Sequence, residues 1–350
     1  MTARSYSRSL GSVGRNEVEN LVSLFLEVHM LTRRSILAAG VLAPLAAKAQ
    51  TWPSGIIKIV TPFAAGGPSD GIARIIQPGL QQRLGVTVII ENKPGASATL
   101  GAAAVAKSPP DGNTWLFTSD TFVVSPLLMT NPPFDVKQDF EPVTLVGRAP
   151  EVLCAHHARP YRSLGDLIAD AKAKPESISY GTSGTGGIAH LTTVLLSQRT
   201  DMRLVHVPYR GMGPAVNDAV AGHVDLIMGS TSALGQQIEA GKLRPLVQCG
   251  AKRAASLPDV PTMIESGYAG FEAYVWFGMF APARTPAAIV DRFYRDLAAA
   301  AREDATARQL VRAYQMDLPL LTPPELRALL DEQIRLWGAV IRDNNIKADM

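Results

Sequence analysis

The stretch Pro62-Phe63-Ala64-Ala65-Gly66-Gly67-Pro68-Ser69-Asp70-Gly71-Ile72-Ala73-Arg74 sets the frame for this chain. It follows Ile56-Ile57-Lys58-Ile59-Val60, an apolar run that reads as a buried strand. Gly66 and Gly67 let the backbone pass close to whatever lies above it. Pro68 suits a first helical turn, and Ser69 or Asp70 suits its cap. Ile72, Ala73, Ile75, Ile76 and Leu80 then recur at helical spacing. A strand, a glycine turn and a helix start leave main-chain N–H groups at the strand's C-terminal end, an arrangement that binds anions, carboxylates included. The competing reading is an ordinary βα turn in which glycine serves only to turn.

The same design returns further on. Ile178-Ser179-Tyr180 reads as a short strand, Gly181-Thr182-Ser183-Gly184-Thr185-Gly186-Gly187 as a glycine and hydroxyl loop, and residues 188–198, with His190, as a helix. Two such loops facing each other across a cleft hold a carboxylate from both sides. Between and after them, strand-like and helix-like runs alternate, which predicts an α/β fold with mainly parallel sheets and helices on both faces. Further strands are expected at 86–90, 114–118, 204–208, 224–228, 244–249 and 274–280, and further helices up to Lys107 and at 164–173, 214–220, 234–240, 286–301 and 323–344. Ser163 is placed to cap the second of these. Pro78-Gly79 predicts a bend or break in the first helix. Two strands, 143–146 and 152–155, follow one another with no helix between, as in a crossing between domains.

With 350 residues, 47% of them hydrophobic, the chain is long enough for two ordinary domains. The net charge of +3 belongs to the first 49 residues; beyond them basic and acidic residues balance at 28 each. No Lys/Arg run follows residue 50, which argues against a nucleic-acid partner. Thr32-Arg33-Arg34-Ser35-Ile36-Leu37, the apolar run 38–47 and the small-x-small Ala47-Lys48-Ala49 form a signal peptide, with adjacent arginines resembling a twin-arginine export signal. Cleavage after Ala49 starts the mature chain at Gln50, and Met30 gives a leader of ordinary length. The mature protein is therefore expected in the periplasm. Cys154 and Cys249, both in apolar runs, are expected as buried thiols, with pairing left open in an oxidising compartment.

Several chemistries fail on spacing. A hydrolase elbow needs Gly two residues after Ser183, and position 185 is Thr. A Ser183, His190 and Asp225 set remains as the catalytic alternative. Gly66-Gly67 does not extend to G-x-G-x-x-G, and no phosphate-binding G-x-x-x-x-G-K-[ST] occurs. His156 and His157, adjacent on a strand, point to opposite faces, and no cysteine pair has zinc spacing, so neither metal nor cofactor is expected. Arg210, in a glycine-rich loop, either pairs with an acidic ligand or stands solvated. Asp225, between apolar residues, is expected buried and tied to main-chain N–H groups. Trp276 and Phe277 read as core or as the wall of a cleft.

Taken together, several stretches resemble one family: residues 62–74, Glu91-Asn92-Lys93-Pro94-Gly95-Ala96, Pro110-Asp111-Gly112, residues 180–186 with His190-Leu191, Val207-Pro208-Tyr209-Arg210-Gly211 with Gly213-Pro214-Ala215, Leu257-Pro258-Asp259-Val260-Pro261-Thr262, and Trp276-Phe277-Gly278 with Ala281-Pro282. The chain, over about residues 53–345, resembles the Bug-type extracytoplasmic solute receptors of tripartite tricarboxylate transporters. The resemblance implies a two-lobed periplasmic-binding-protein fold with two crossovers. After the leader (1–49), one lobe takes residues 50–147 and 255–350 and the other 148–254, hinged near 147–150 and 250–255. It implies a monomeric, non-catalytic receptor that closes on a small organic acid and hands it to membrane permease subunits; a ligand sensor feeding a sensor kinase is an alternative. The ligand-binding residues it implies are Phe63, Ala65, Gly66, Gly67 and Asp70; Ala96, Ser97 and Ala98; Ser119; Thr182, Ser183, Gly184, Thr185 and Gly186; Tyr209, Arg210 and Gly211; and Asp225. Ser97-Ala98-Thr99 departs from the glycine-richer run common at that place in the family.

Overall fold

The computed structural model describes residues 52–347. The leader, its cleavage point and Met30 lie outside them. The chain opens with β1 (Ile57–Thr61), α1 (Pro68–Leu84), β2 (Val88–Asn92), α2 (Thr99–Ala106), β3 (Thr114–Ser119) and α3 (Thr121–Leu127). A long β4 (Phe140–His156) leads to α4 (Leu164–Ala173), β5 (Ser179–Thr182), α5 (Ile188–Thr200), β6 (Val205–Pro208), α6 (Met212–Ala221), β7 (Leu226–Ser230), α7 (Thr231–Glu239) and β8 (Leu243–Gln248). The chain returns through β9 (Tyr274–Pro282) and ends in α8 (Ala287–Arg302), α9 (Asp304–Tyr314) and α10 (Pro323–Asp343).

The strands run in the order β2-β1-β3-β9-β4-β7-β5-β6, with β8 also on β4. β1 is parallel to β2 and β3, and β5 to β6 and β7. The two parallel ends meet through an antiparallel middle, where β9 pairs with β3 and β4, and β4 with β7 and β8. β4 is one strand where the sequence reads two. Up to Pro150 it lies along β9; from Glu151 on, it lies along β7 and β8. Register shifts between Pro142 and Thr144 and between Leu145 and Gly147 mark bulges along β4 without ending it.

Each end of the sheet is covered on both faces. Ile57, Ile59, Ile72, Leu80, Trp115 and Phe293 pack on one face of the first end, and Phe122, Phe134, Phe140 and Phe280 on the other. Trp115 stacks on Phe293 with ring centroids 3.7 Å apart. At the second end Leu153, Leu167, Leu191 and Leu226 lie on one face, and Val152, Ala219, Ile227 and Leu243 on the other. The connector after β8 joins this second end, since Leu257 and Val260 pack with one of its cores and Met263, Phe271 and Ala273 with the other. α10 serves both ends: Leu326 and Leu330 pack with Phe280, whereas Trp337, Val340 and Ile341 pack with Leu191 and Leu195.

Local signals hold where they are strongest. Ser163 caps α4 in a capping box with Asp166, and left-handed Gly222 stops α6. Four expectations are corrected. α1 runs through Pro78 without a break, and Gly79 sits against α8, where a Cβ would stand 3.2 Å from that of Ala300. The cap of α1 is Gly67, not Ser69 or Asp70. α3 and α9 are helices that the sequence did not announce. The rings of His156 and His157 meet edge-on, 4.3 Å between centroids, because β4 ends at His156. Cys154 and Cys249 are buried free thiols. Among the described residues no helix is long and apolar enough to cross a membrane.

Candidate functional site

A cavity of about 440 Å³ opens between the two ends of the sheet, where the loops after β2, β3, β5 and β6 converge. One wall is Ser97, Asp120, Thr121 and Ser125 with Val124, Leu128 and Met129; the other is residues 183–188 with Arg210. Both walls stand at the C-terminal ends of parallel strands, where open α/β sheets bind ligands.

The first wall rests on a left-handed turn. Ala96, Ser97 and Ala98 have φ of 46°, 52° and 72°, a conformation that costs a residue bearing a Cβ about 1–2 kcal/mol. The turn is held by Thr99, whose N–H and hydroxyl both donate to the Ala96 carbonyl, and by Ser125, whose hydroxyl donates to the Ser97 carbonyl at 3.0 Å.

The second wall is latched from behind. Tyr209 N–H donates to the Thr182 carbonyl and Gly211 N–H to that of Ser183, each at 3.1 Å, which locks the two loops together. Thr182 Oγ1 meets His206 Nε2 at 2.7 Å, and Gly186 N–H donates to His190 Nδ1 at 3.1 Å. The two imidazoles stack with centroids 4.0 Å apart. Gly184 and Gly186 have φ of 140° and 77°, and Gly187 begins α5, whose N-terminal end therefore faces the cavity. Ser183 and Thr185 contribute hydroxyls, and Arg210 is an exposed cation in no ion pair of the described residues.

The cavity thus gathers Ser97, Ser183, Gly184, Thr185, Gly186 and Arg210 from the residues singled out in the sequence. Others lie just behind it. Ser119 is buried with its hydroxyl 3.1 Å from that of Thr121, Thr182 is buried, and Gly211 caps α6. Ala96 and Ala98 flank Ser97. The remaining residues sit elsewhere. Phe63, Ala65, Gly66 and Gly67 are outside the cavity lining, and Gly66 N–H is spent on Asp70 Oδ2 at 2.9 Å. Asp70 also accepts from Arg74 and Asn92, and the Arg74 hydrogen bond holds its carboxyl below the ordinary range. Tyr209 donates its hydroxyl to Asp218. Asp225 lies at the far end of β5, where it accepts from the Ser179 N–H and hydroxyl and pairs with Arg159. Ser183 follows β5 and Asp225 is bound at its first residue, so Ser183, His190 and Asp225 do not converge.

Asp120, next to Ser119, lines the first wall and is not among the residues that the resemblance implies. Burial pushes the Asp120 carboxyl up to about 7, against the main-chain N–H groups of Asp120 and Trp276 and the side chain of Ser119, which pull it down. Glu151 in β4 is pushed up to about 8 by burial and by the charge of Asp120.

Two α/β ends joined by crossing strands, with a hydroxyl- and glycine-lined cleft between them, define a periplasmic-binding-protein fold of the solute-receptor class. The sequence matches the Tripartite tricarboxylate transporter family receptor (TctC) profile over residues 72–346. It is 35% identical to Protein BugT of Bordetella pertussis over 315 residues, covering 89% of this chain and 95% of that one. Among solved structures, Rpa4515 of R. palustris with adipate superimposes with a TM-score of 0.73 at 31% identity, covering 85% of this chain and 99% of that one. MatC (Rpa3494) from Rhodopseudomonas palustris with bound malate gives 0.69 at 29% identity, covering 83% and 100%. The chain belongs to the Bug-type solute receptors of the tripartite tricarboxylate transporter family.

Proposed function

We propose that this chain is exported, captures a small organic acid in the cleft and delivers it to the membrane permease of a tripartite transporter, without catalysing a reaction. The observation that carries this reading is the second wall, where Arg210, in no ion pair of the described residues, two hydroxyls and the N-terminal end of α5 face one cavity. Neutral donors and one solvent-exposed cation suit a carboxylate without a buried lysine. The adipate and malate in the two solved relatives support the ligand class. One lobe takes residues 52–147 and the chain from β9 on, and the other takes residues 148–254 with the connector that packs in its cores, hinged near 147–150 and at the start of β9. Closure brings Ser97 and Asp120 toward Ser183 and Arg210.

A thermal-shift screen of the purified protein against small organic acids, with amino acids and sugars as controls, tests the proposal. A ligand bound only by the folded state raises the melting temperature by mass action. Stabilisation by one or a few carboxylates, reduced in Arg210→Ala, is the expected result. No response to any acid, together with no co-purified acid by native mass spectrometry, overturns it.

A further inference from the structure

Among the described residues, Asp120 is the only acid on the wall of a cavity otherwise furnished for anions. It is 6% exposed, and Glu151 behind it is 1% exposed. Oε2 of Glu151 and the indole Nε1 of Trp276 are buried without a hydrogen-bond partner, and Asp120 N–H donates to the Trp276 carbonyl at 3.2 Å. The groups facing the pair from neighbouring elements are the Cys249 thiol beyond β8, kept protonated by burial and by Glu151, the indole of Trp276 in β9, and Ser119 in β3. Arg210 stands on the cavity's other wall. No ion pair of the described residues includes Asp120 or Glu151. Two neighbouring carboxyls in such surroundings do not both ionise; the more buried Glu151 keeps the pair's first proton, and the negative charge of an incoming carboxylate favours a second on Asp120. A protonated carboxyl on the wall of an anion site is a hydrogen-bond donor.

We propose that Asp120 meets the ligand as a carboxylic acid and donates a hydrogen bond to a ligand carboxylate, so that this chain captures its anion together with a proton. The proton comes from the solvent, stays on the Asp120 carboxyl while the ligand is bound, and returns to solvent on release; no bond in the ligand changes. The inference rests on the cavity being the carboxylate site. It sets a selectivity: an acid presenting a carboxylate oxygen to Asp120 is accepted, whereas an ammonium group at that place needs Asp120 ionised and follows the opposite pH trend. The upward displacement of both acids by burial agrees with it.

Infrared titration of the ligand-free protein tests the proton directly. A protonated-carboxyl band is expected near pH 6.5, declining toward about pH 9, and reduced in Asp120→Asn; a band that Asp120→Asn leaves unchanged belongs to Glu151 alone and overturns the proposal. Calorimetry with adipate and malate, at about pH 7.5 in two buffers of different ionisation heat, tests the coupling and needs no variant. Net proton uptake is expected, with affinity falling at least about tenfold between roughly pH 6.5 and pH 8.5. Asp120→Asn, which carries a permanent donor, should abolish the uptake and bind about tenfold more tightly than wild type at the higher pH. Binding without uptake, or tighter binding at high pH, overturns the proposal and leaves the cleft assignment standing. Binding of neither acid counts against those ligands, and the infrared arm then decides on the proton.

Discussion

Replacing Glu151 by Gln should stabilise the protein, and by an amount that depends on pH. Glu151 is fully buried at the crossing of β4, with Oε2 unpartnered, and is held up to about 8 against an ordinary value of 4.5. Burial is the larger cause and the Asp120 charge the lesser. The sign follows from proton counting. Between the two values the folded chain keeps a proton that the unfolded chain releases, so the stability of the wild type falls as pH rises through that window and levels off above about 8. Gln carries no such proton. At about 1.4 kcal/mol per pH unit, the gap between variant and wild type should widen by about 3 kcal/mol from roughly pH 5 to pH 7.5. For a domain of this size that is about 6 °C in melting temperature. Calorimetric melting of both proteins across the range, without ligand, is the assay. Parallel curves, or a variant that loses ground as pH rises, would refute the reasoning and show Glu151 ionised in the folded state.

Ser163→Ala removes the hydroxyl that accepts from Asp166 N–H and should lower stability by about 1 kcal/mol, read as a shift in the urea midpoint at unchanged slope. Gly186→Ala places a Cβ 2.5 Å from Leu128 Cδ1 at a φ of 77°, which pushes the second wall away from α3. Carboxylate affinity should drop about tenfold, from strain of about 1–2 kcal/mol, and wild-type affinity would show that the wall tolerates the wedge. Cys154 and Cys249 are fully buried and burial raises both thiols, so the native protein should resist thiol reagents until denaturant is added; fast labelling without denaturant would contradict the packing.

The parts of the fold legible in the sequence are those decided within a few residues of chain. Ser163 with Asp166, Gly222 after α6 and the glycine loops after β1 and β5 each carry their own conformational reason. What escaped is decided by partners distant in sequence. α3, Thr-Phe-Val-Val-Ser-Pro-Leu, has no helical signal of its own; Phe122 is held among Phe134, Phe140 and Phe280. Residues 147–150, Gly-Arg-Ala-Pro, read as a break, yet β9 and a bridge from Arg148 to Asp317 keep them extended. Asp120 escaped for the same reason. A Ser-Asp pair ending a strand looks like a cap, and only β4, supplying Glu151, and β9, supplying Trp276, turn it into a buried acid. In the first glycine loop Asp70 takes up the Gly66 N–H, a side-chain contact within the loop that the glycines alone do not announce.

The last helix has a bearing on how far the protein can move. α10 commits Leu326 and Leu330 to one core and Trp337, Val340 and Ile341 to the other, so it acts as a strap stitched to both leaves of the cleft. The leaves can rotate about it, but parting them along its length would pull an indole out of its socket. The gape of the mouth is therefore governed by a helix outside the cavity lining, whose Trp337, Val340 and Ile341 share a core with the cavity residues Val124 and Ile188.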